Sequence, residues 1–255
     1  MPLINIKGAD IYYQLVETHP CRGTLLFIHG AGSTHEVWEN QLENLPRGFQ
    51  GLALDLPAHG KSQGDSCKSI EEFAGFIIEF LKHMELIRPL YLCGHSMGAA
   101  ISLYTARYFP DYIDGIILIG GSSTMKVYPK VLEDLSNGII NPDFIRVTFA
   151  PMTDPGISES TIETFLHMPT DVFYNDLNSC DQFEFTGELS RIQKPALIIA
   201  SKWDRLTPVK HCKKLTLIDN SSFAVINDAG HFMILEKPHE VNRLIADFLK
   251  EESSA

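Results

Sequence analysis

The sequence predicts an α/β fold built on a parallel sheet that helices cover on both faces. From residue 24 onward, strand-length apolar runs alternate with segments of helical periodicity. Strands that are apolar on both faces are typical of parallel sheets, because helices bury both sides of such a sheet. The predicted strands cover residues 3–7, 11–16, 24–29, 51–56, 90–93, 113–119, 196–200 and 224–226.

The helix predicted for residues 69–86 has the clearest pattern. Apolar residues such as Ile70, Phe73 and Ile77 recur at steps of three and four, the spacing of one helix face. Ser69 is the expected N-cap, and Glu72 three residues later completes a capping box. The other helices of the core are predicted at 34–45, 99–108, 209–217 and 239–249.

The chain is acidic and otherwise of ordinary globular composition. Its 255 residues carry 21 Lys and Arg against 32 Asp and Glu, a formal net charge of −11, and 44% are apolar. The apolar fraction excludes a disordered chain. The negative charge argues against nucleic acid or an anionic membrane as a partner. No apolar run approaches the roughly 20 residues that a membrane-spanning helix needs.

The N-terminal residues and the cysteines indicate where in the cell the chain is expected to be. Residues 1–7 have no basic segment followed by a long apolar core, so we expect no signal peptide and a cytoplasmic chain. The five cysteines are odd in number and contain no Cys-x-x-Cys pair. We therefore expect a reducing compartment, no disulfide framework and no cysteine-rich metal site.

Residues 123–194 break the alternation of strands and helices. No strand is convincing there, and four short helices are predicted between prolines. The stretch is too long for a simple crossover between strands, and we interpret it as a helical lid or cap over the strand ends. An ordinary set of surface helices is the alternative. The four helices are predicted at 131–135, 144–149, 162–168 and 172–177.

A Gly-x-Ser-x-Gly motif lies at residues 94–98, between a predicted strand and a predicted helix. This context is that of a nucleophile elbow, a sharp strand-to-helix turn that exposes the central serine, here Ser96. Gly94 and Gly98 permit a close approach that a Cβ atom would block. The helix N-terminus favours negative charge beside Ser96. A glycine-rich turn without chemistry is the alternative.

A serine hydroxyl needs a base, and the base needs a carboxylate to orient it. His231 follows the last predicted strand, and Asp204 follows the strand before it. The chain order serine, acid, histidine is the one expected for a nucleophile elbow. Asp204 could instead pair with Arg205 or cap the next helix, and Asp228 is a competing acid closer to His231 in the chain.

Acyl transfer also requires hydrogen-bond donors for the developing oxyanion. The backbone N–H of Met97, the residue after the candidate nucleophile, is the first expected donor. The second is assigned to the backbone N–H of Ala31, which lies between two glycines in the loop after the strand at 24–29. A simple tight turn is the alternative for this loop.

These motifs together make the chain resemble the α/β-hydrolase superfamily, in the carboxylesterase-like branch of serine hydrolases with a helical cap. Matching landmarks run from about residue 3 to 250 and include His29-Gly30, the loop 55–62 and the elbow. The resemblance implies a mostly parallel eight-stranded sheet with helices on both faces and a helical cap inserted after strand 6. It divides one compact unit into a core, 1–122 and 195–255, and a cap, 123–194.

Several polar residues near these landmarks are interpreted as structural. The family usually treats the loop 55–62 as structural, so Asp55 and His59 are not expected to be a second catalytic pair. His29 and His95 are likewise expected to be structural. The family commonly has glycine where this chain has Ala58, which predicts a slightly altered loop.

The resemblance implies a serine hydrolase that cleaves a carboxylic ester of a small-to-medium apolar acid through an acyl-enzyme, with no cofactor and no metal. A serine nucleophile separates the chain from relatives that use Asp or Cys. Relatives with the same triad also cleave thioesters, lactones or carbon–carbon bonds. Cofactor-free perhydrolases, called haloperoxidases, share the triad as well, and plant hormone receptors keep it as binding modules. These remain alternatives.

Three aromatic residues are candidates for contact with substrate. Trp38 lies near the oxyanion loop, and Phe144 and Phe165 belong to the aromatic-rich segment 123–194. Packing in the protein interior is the alternative for each. The expected partner is a small apolar ester, with no nucleic acid and no membrane, for a protein that is a monomer or a homodimer.

Overall fold

Eight strands form one sheet in the computed structural model, which describes residues 2–252. The order is β1-β2-β4-β3-β5-β6-β7-β8, and from β4 to β8 all neighbours are parallel. Only β2 pairs antiparallel, with β1 and β4. The mostly parallel eight-stranded sheet is therefore confirmed. The strands are β1 (Leu3–Ile6), β2 (Ala9–Val16), β3 (Gly23–Ile28), β4 (Phe49–Leu54), β5 (Leu90–His95), β6 (Gly115–Ile119), β7 (Ala196–Ser201) and β8 (Ser221–Ile226).

Helices separate the parallel strands, as the periodicity predicted. Two predicted helices, 34–45 and 209–217, are each divided into a 3-10 turn and a short α-helix. The helix predicted at 99–108 begins two residues earlier, at Met97. The α-helices are α1 (Glu39–Glu43), α2 (Ile70–Lys82), α3 (Met97–Tyr108), α4 (Pro129–Ser136), α5 (Pro142–Arg146), α6 (Pro155–Leu166), α7 (Thr170–Gln182), α8 (Val209–Cys212), α9 (Met233–Glu236) and α10 (Pro238–Glu252).

The two faces of the sheet bury alternate residues of each strand. Leu26 and Ile28 of β3 face one core, together with the buried sides of α2 and α3. Leu25 and Phe27 of the same strand face the other core, together with α10. Helices on both faces thus explain why consecutive residues of the central strands are apolar. No helix within residues 2–252 is long and apolar enough to cross a membrane.

The N-cap of α2, Ser69, shows how the local sequence determines where a helix begins. The Ser69 hydroxyl accepts a hydrogen bond from the N–H of Glu72 at 3.1 Å, as the capping box predicts. The Glu72 carboxylate accepts a hydrogen bond from the N–H of Lys68 at 2.8 Å, whereas the capping box predicts the N–H of Ser69 as the donor. An N-cap of this kind stabilises a helix by about 1 kcal/mol.

Four helices, α4 to α7, follow β6 and precede β7, in the stretch where four short helices were predicted. We refer to them as the inserted helices. Three of them begin at a proline, which is favourable at the first helical position because its missing N–H has no partner there. Their apolar sides form a third cluster with Phe232, and Ala31 and Ala58 pack against it. The inserted helices therefore lie against loops that follow β3, β4 and β8.

Candidate active site

The register of the parallel strands brings distant loops to one edge of the sheet. His95 of β5 is level with Ile119 of β6, and Ser201 of β7 is level with Ile226 of β8. Because parallel strands share their direction, the loops after β3, β5, β7 and β8 leave the sheet at the same edge. These are the loops in which the sequence predicted the reactive groups.

Ser96 lies on a strained turn between β5 and α3. Its backbone has φ 54° and ψ −114°, a left-handed conformation that is rare for a residue with a side chain. A Cβ atom on Gly94 would lie 2.1 Å from the carbonyl oxygen of Gly98, and one on Gly98 would lie 2.2 Å from that of Ile28. Both glycines are therefore sterically required, and the turn has the geometry of a nucleophile elbow.

Asp204 and His231 are joined by a hydrogen bond of 2.8 Å between Oδ2 and Nδ1. Both residues are buried, whereas the competing acid Asp228 is exposed. The other carboxylate oxygen of Asp204 accepts the N–H groups of Leu206 and Thr207, each at 2.8 Å. The Asp204 carboxylate thus binds the ring of His231 through one oxygen and the backbone of the following turn through the other.

The electrostatic surroundings keep Asp204 ionised. Burial raises its pKa, but the positive charge of His231 and the hydrogen bonds from His231 and Thr207 outweigh burial, and the pKa lies below its ordinary value. An ionised carboxylate accepts a hydrogen bond from Nδ1–H, and this favours the neutral tautomer of the ring in which Nε2 has a lone pair. Within residues 2–252 the Ser96 hydroxyl has no hydrogen bond to this ring, and such contacts often tighten only when substrate binds.

The backbone of His231 is held on two sides. Its N–H donates to the carbonyl of Thr148 at 2.7 Å, and its own carbonyl accepts the Nε2–H of His95 at 2.9 Å. Burial, reinforced by repulsion from His231, lowers the pKa of His95 to about 3, so its ring is neutral. His95 therefore positions His231, in agreement with its predicted structural role.

The two expected oxyanion donors belong to different parts of the chain. Met97 is the first residue of α3, where helix geometry leaves the N–H without an intrahelical acceptor. Ala31 lies in the loop after β3 and lines the same cavity as Ser96. The next amide along this loop, that of Gly32, is directed elsewhere and donates to Asp176 Oδ2 at 2.8 Å.

Asp176 is a site residue that the sequence analysis missed. It lies on α7, is fully buried, and its Oδ2 accepts both the Gly32 N–H and the Nε2–H of His59, each at 2.8 Å. Its Oδ1 has no hydrogen-bond partner within residues 2–252. An acid between Phe173 and Leu177, on the apolar side of a predicted helix, was the signal that could have identified it.

The loop 55–62 is organised by two separate pairs rather than by one. Asp55 accepts hydrogen bonds from the N–H and the ring of His35, at 2.7 and 2.8 Å, while His59 pairs with Asp176. Burial lowers the pKa of His59, but the charge and hydrogen bond of Asp176, the hydrogen bond to the Pro57 carbonyl and the Asp55 charge together outweigh burial and raise the pKa above its ordinary value. Ala58 has φ 67°, the left-handed conformation that explains the usual glycine.

A cavity of about 40 Å³ lies above Ser96. Its walls include Ser96, His231 and Ala31, together with the predicted substrate contacts Phe144 and Phe165. Trp38, the third residue predicted to contact substrate, does not border this cavity. Its ring is fully buried on the sheet, with its centroid 5.0 Å from that of Phe27. Trp38 is the last residue of the 3-10 turn His35–Trp38, and its indole ring lies on the buried side of that turn together with Val37.

Comparison with known proteins agrees with this architecture. The family model for the alpha/beta hydrolase fold matches residues 23–149. A Pseudomonas putida protein is 28% identical to this chain over a region that covers 89% of this chain and 87% of the Pseudomonas protein. Its name is 2-hydroxy-6-oxononadienedioate/2-hydroxy-6-oxononatrienedioate hydrolase 2. The crystal structure of an enol-lactonase from Burkholderia xenovorans LB400 superposes with a TM-score of 0.90 at 19% identity, covering 98% of this chain and 100% of its own. A thermophilic esterase superposes with a TM-score of 0.83 at 28% identity, covering 98% and 97%.

The fold and these similarities define the class of protein. The chain belongs to the α/β-hydrolase superfamily and is a hydrolase. Its relatives and structural neighbours include an esterase, an enol-lactonase and a hydrolase named for dioate substrates. Because one fold hosts these different activities, the fold alone does not define the bond that this chain cleaves.

Proposed function

We propose that the protein is a serine hydrolase that cleaves carboxylic esters of small-to-medium apolar acids, with Ser96, His231 and Asp204 as its triad. The observation that carries the proposal is the 2.8 Å hydrogen bond between Asp204 and His231, beside a cavity that His231 shares with the strained Ser96. A carboxylate that fixes the tautomer of a histidine near a serine is the arrangement that activates a hydroxyl.

In the proposed mechanism, Nε2 of His231 takes the proton of Ser96 as Oγ attacks the ester carbonyl carbon. The carbonyl oxygen becomes an oxyanion, which the N–H groups of Ala31 and Met97 stabilise. His231 returns the proton to the departing alcohol oxygen as the carbon–oxygen bond breaks, and an acyl-enzyme remains. A water molecule then attacks the acyl-enzyme. His231 takes a proton from the water as its oxygen bonds to the acyl carbon, the bond to Ser96 Oγ breaks, and His231 returns the proton to Oγ as the acid leaves.

The lining of the cavity supports an uncharged acyl group. Its side chains are mainly apolar, among them Phe144, Phe165 and Phe232, and the described lining contains no Lys or Arg. A buried carboxylate would need a cationic partner. The Pseudomonas putida relative acts on dioates, and the present cavity offers no such partner. This favours a simple ester over a dioate substrate of carbon–carbon cleavage.

We further propose that residues 123–194 act as a cap over the core formed by 1–122 and 195–255. The inserted helices supply Phe144, Phe165 and Phe173 to the cavity wall, so they close the space above Ser96. The backbone contact from Thr148 to His231 also ties this segment to the proposed base. Under this proposal the cap both excludes water and sets the size of the acyl group.

The proposal is tested by the hydrolysis of p-nitrophenyl esters from acetate to laurate. Ser96→Ala is expected to abolish turnover, because no other group at the elbow can attack the carbonyl. Ser102→Ala is the matched control: Ser102 is a buried serine of the same helix whose hydroxyl donates to the Gly98 carbonyl, outside the cavity lining. We expect it to retain turnover. Ester hydrolysis that survives Ser96→Ala would remove Ser96 from the mechanism.

A further inference from the structure

A second cavity of about 170 Å³ lies among the inserted helices. Its interior is apolar, and its rim carries polar residues, including Lys130, Asp134 and Asn141. The apolar residues that border it are Val131, Leu135, Ile139, Ile140, Phe144 and Phe173. A cavity with an apolar lining and a polar rim is suited to a hydrocarbon chain whose far end lies near water.

Two phenyl rings separate this second cavity from the first. Phe144 and Phe173 are the residues that border both the 40 Å³ cavity above Ser96 and the 170 Å³ cavity within the inserted helices. Small-molecule sites commonly enclose about 300–1,000 Å³. The space above Ser96 is far smaller than this, so a substrate larger than a very short ester needs additional room.

The two rings differ in how firmly they are held. Phe173 is 2% exposed, its ring centroid is 5.3 Å from that of Phe165, and it packs so closely on Gly32 that a Cβ there would lie 2.7 Å away. Phe144 is only half-buried and lies on α5, a helix of five residues. Phe144 is therefore the ring that can turn aside without disturbing the oxyanion loop.

We propose that the second cavity is an acyl-chain subsite and that Phe144 is the gate between it and Ser96. The ligand class is an unbranched, uncharged acyl chain of medium length, whose carbonyl lies at Ser96 and whose tail passes Phe144. This inference rests on the proposed function for the position of the ester, whereas the cavity itself would bind a hydrocarbon chain without any reaction.

The charges on the rim favour an uncharged tail. Lys130 is the cation that borders the second cavity, and its Nζ already lies 2.9 Å from Asp134 and 3.2 Å from Glu133. A carboxylate at the end of the chain would have to compete with both acids. The subsite therefore selects monocarboxylic over dicarboxylic acyl groups.

The gate is tested by the ratio of kcat/KM for octanoate to that for acetate esters. Each buried methylene contributes about 0.8 kcal/mol, roughly a fourfold change. Phe144→Ala is expected to raise this ratio on the order of tenfold or more. Phe183→Ala is the matched control, because Phe183 is a buried phenylalanine of the segment 123–194 that borders neither cavity. An equal rise in both variants, or none in Phe144→Ala, would overturn the gate.

The subsite is tested separately from catalysis. Adding Val131→Trp to Phe144→Ala fills the second cavity and is expected to cancel the gain for octanoate. Octan-1-ol binding, measured by calorimetry, is expected to weaken about tenfold or more in the single variant Val131→Trp. Unchanged octan-1-ol affinity in a folded Val131→Trp protein would overturn the subsite. Weakened octan-1-ol binding together with no Ser96-dependent hydrolysis would instead refute the proposed ester chemistry and leave the subsite standing.

Discussion

Asp176 and His59 form a buried ion pair, with 2.8 Å between Oδ2 and Nε2 and neither side chain exposed. The same carboxylate oxygen accepts the N–H of Gly32, the neighbour of the proposed oxyanion donor Ala31. The pair therefore joins an inserted helix to two loops of the core, and it holds the loop after β3 in place. Asp176 is a positioning residue in this arrangement, since its contacts reach Ser96 only through that loop.

Asp176→Asn is expected to lower kcat while leaving KM nearly unchanged. The substitution removes the charge that pairs with His59 and weakens the hydrogen bond from Gly32, so the loop with the proposed oxyanion donor Ala31 is held less firmly. Breaking one partner of a buried pair commonly costs about 3–5 kcal/mol of unfolding free energy. Ester kinetics and denaturant unfolding on the same variant measure both effects. Asp171→Asn, an exposed change on the same helix, is the control and is expected to alter neither. A loss of stability without a change in kcat would make Asp176 merely structural.

The ion pair also predicts a pH dependence of stability. The pKa of His59 is raised above its unfolded value of 6.5. The stabilisation is therefore fully present below that value and is lost as the pH rises through the folded-state pKa. The Pro57 carbonyl, which accepts a hydrogen bond from Nδ1–H, and the Asp55 charge also favour protonation of His59. The neighbouring ring of His29 is neutral, because burial and repulsion from His59 lower its pKa to about 3.

The measurement compares the free energy of unfolding of the wild type with that of His59→Gln from pH 5.5 to 9. The difference between the two proteins is expected to be largest at the acidic end and to shrink at pH values above 6.5, as His59 loses its proton. A difference that stays constant over this range would show that the proton on His59 contributes nothing to folding.

Asp204→Asn is expected to lower kcat by a factor on the order of 10⁴, as in serine proteases, because an amide cannot hold His231 in the required tautomer. Single-turnover and steady-state assays on p-nitrophenyl acetate measure the loss. Asp228→Asn is the control, since Asp228 is exposed and should leave kcat unchanged. If Asp228→Asn were the more damaging change, the assignment of the acid would be reversed.

Ala58→Gly is expected to stabilise the protein modestly. Ala58 has φ 67°, and the left-handed conformation costs a residue with a Cβ roughly 1–2 kcal/mol. Glycine removes this strain but adds entropy to the unfolded chain, about 0.4–1 kcal/mol. A net gain of about 0.5–1 kcal/mol should appear in denaturant unfolding. Destabilisation would mean that the contact of the Ala58 methyl with the inserted helices outweighs the strain.

Much of the fold could be predicted because its signals are local. The eight strands were identifiable from apolar runs, and α2 from its three- and four-residue spacing and from Ser69. The elbow was identifiable because its glycines and its flanking elements are adjacent in the chain. The division of the predicted helix 34–45 was not, because the apolar spacing of this segment is the same for a continuous helix.

The order of the elements, the glycine-flanked turn at Ser96, and the positions of Asp204 and His231 after successive strands could be predicted from the amino-acid sequence. Three other features became visible only in the folded chain: Asp176 accepts a hydrogen bond from the loop after β3, Trp38 is buried in the core, and Phe144 borders two cavities. They could not be predicted because the residues involved are far apart in the chain. Asp176 meets Gly32 across 144 residues and His59 across 117, and no local propensity encodes such contacts.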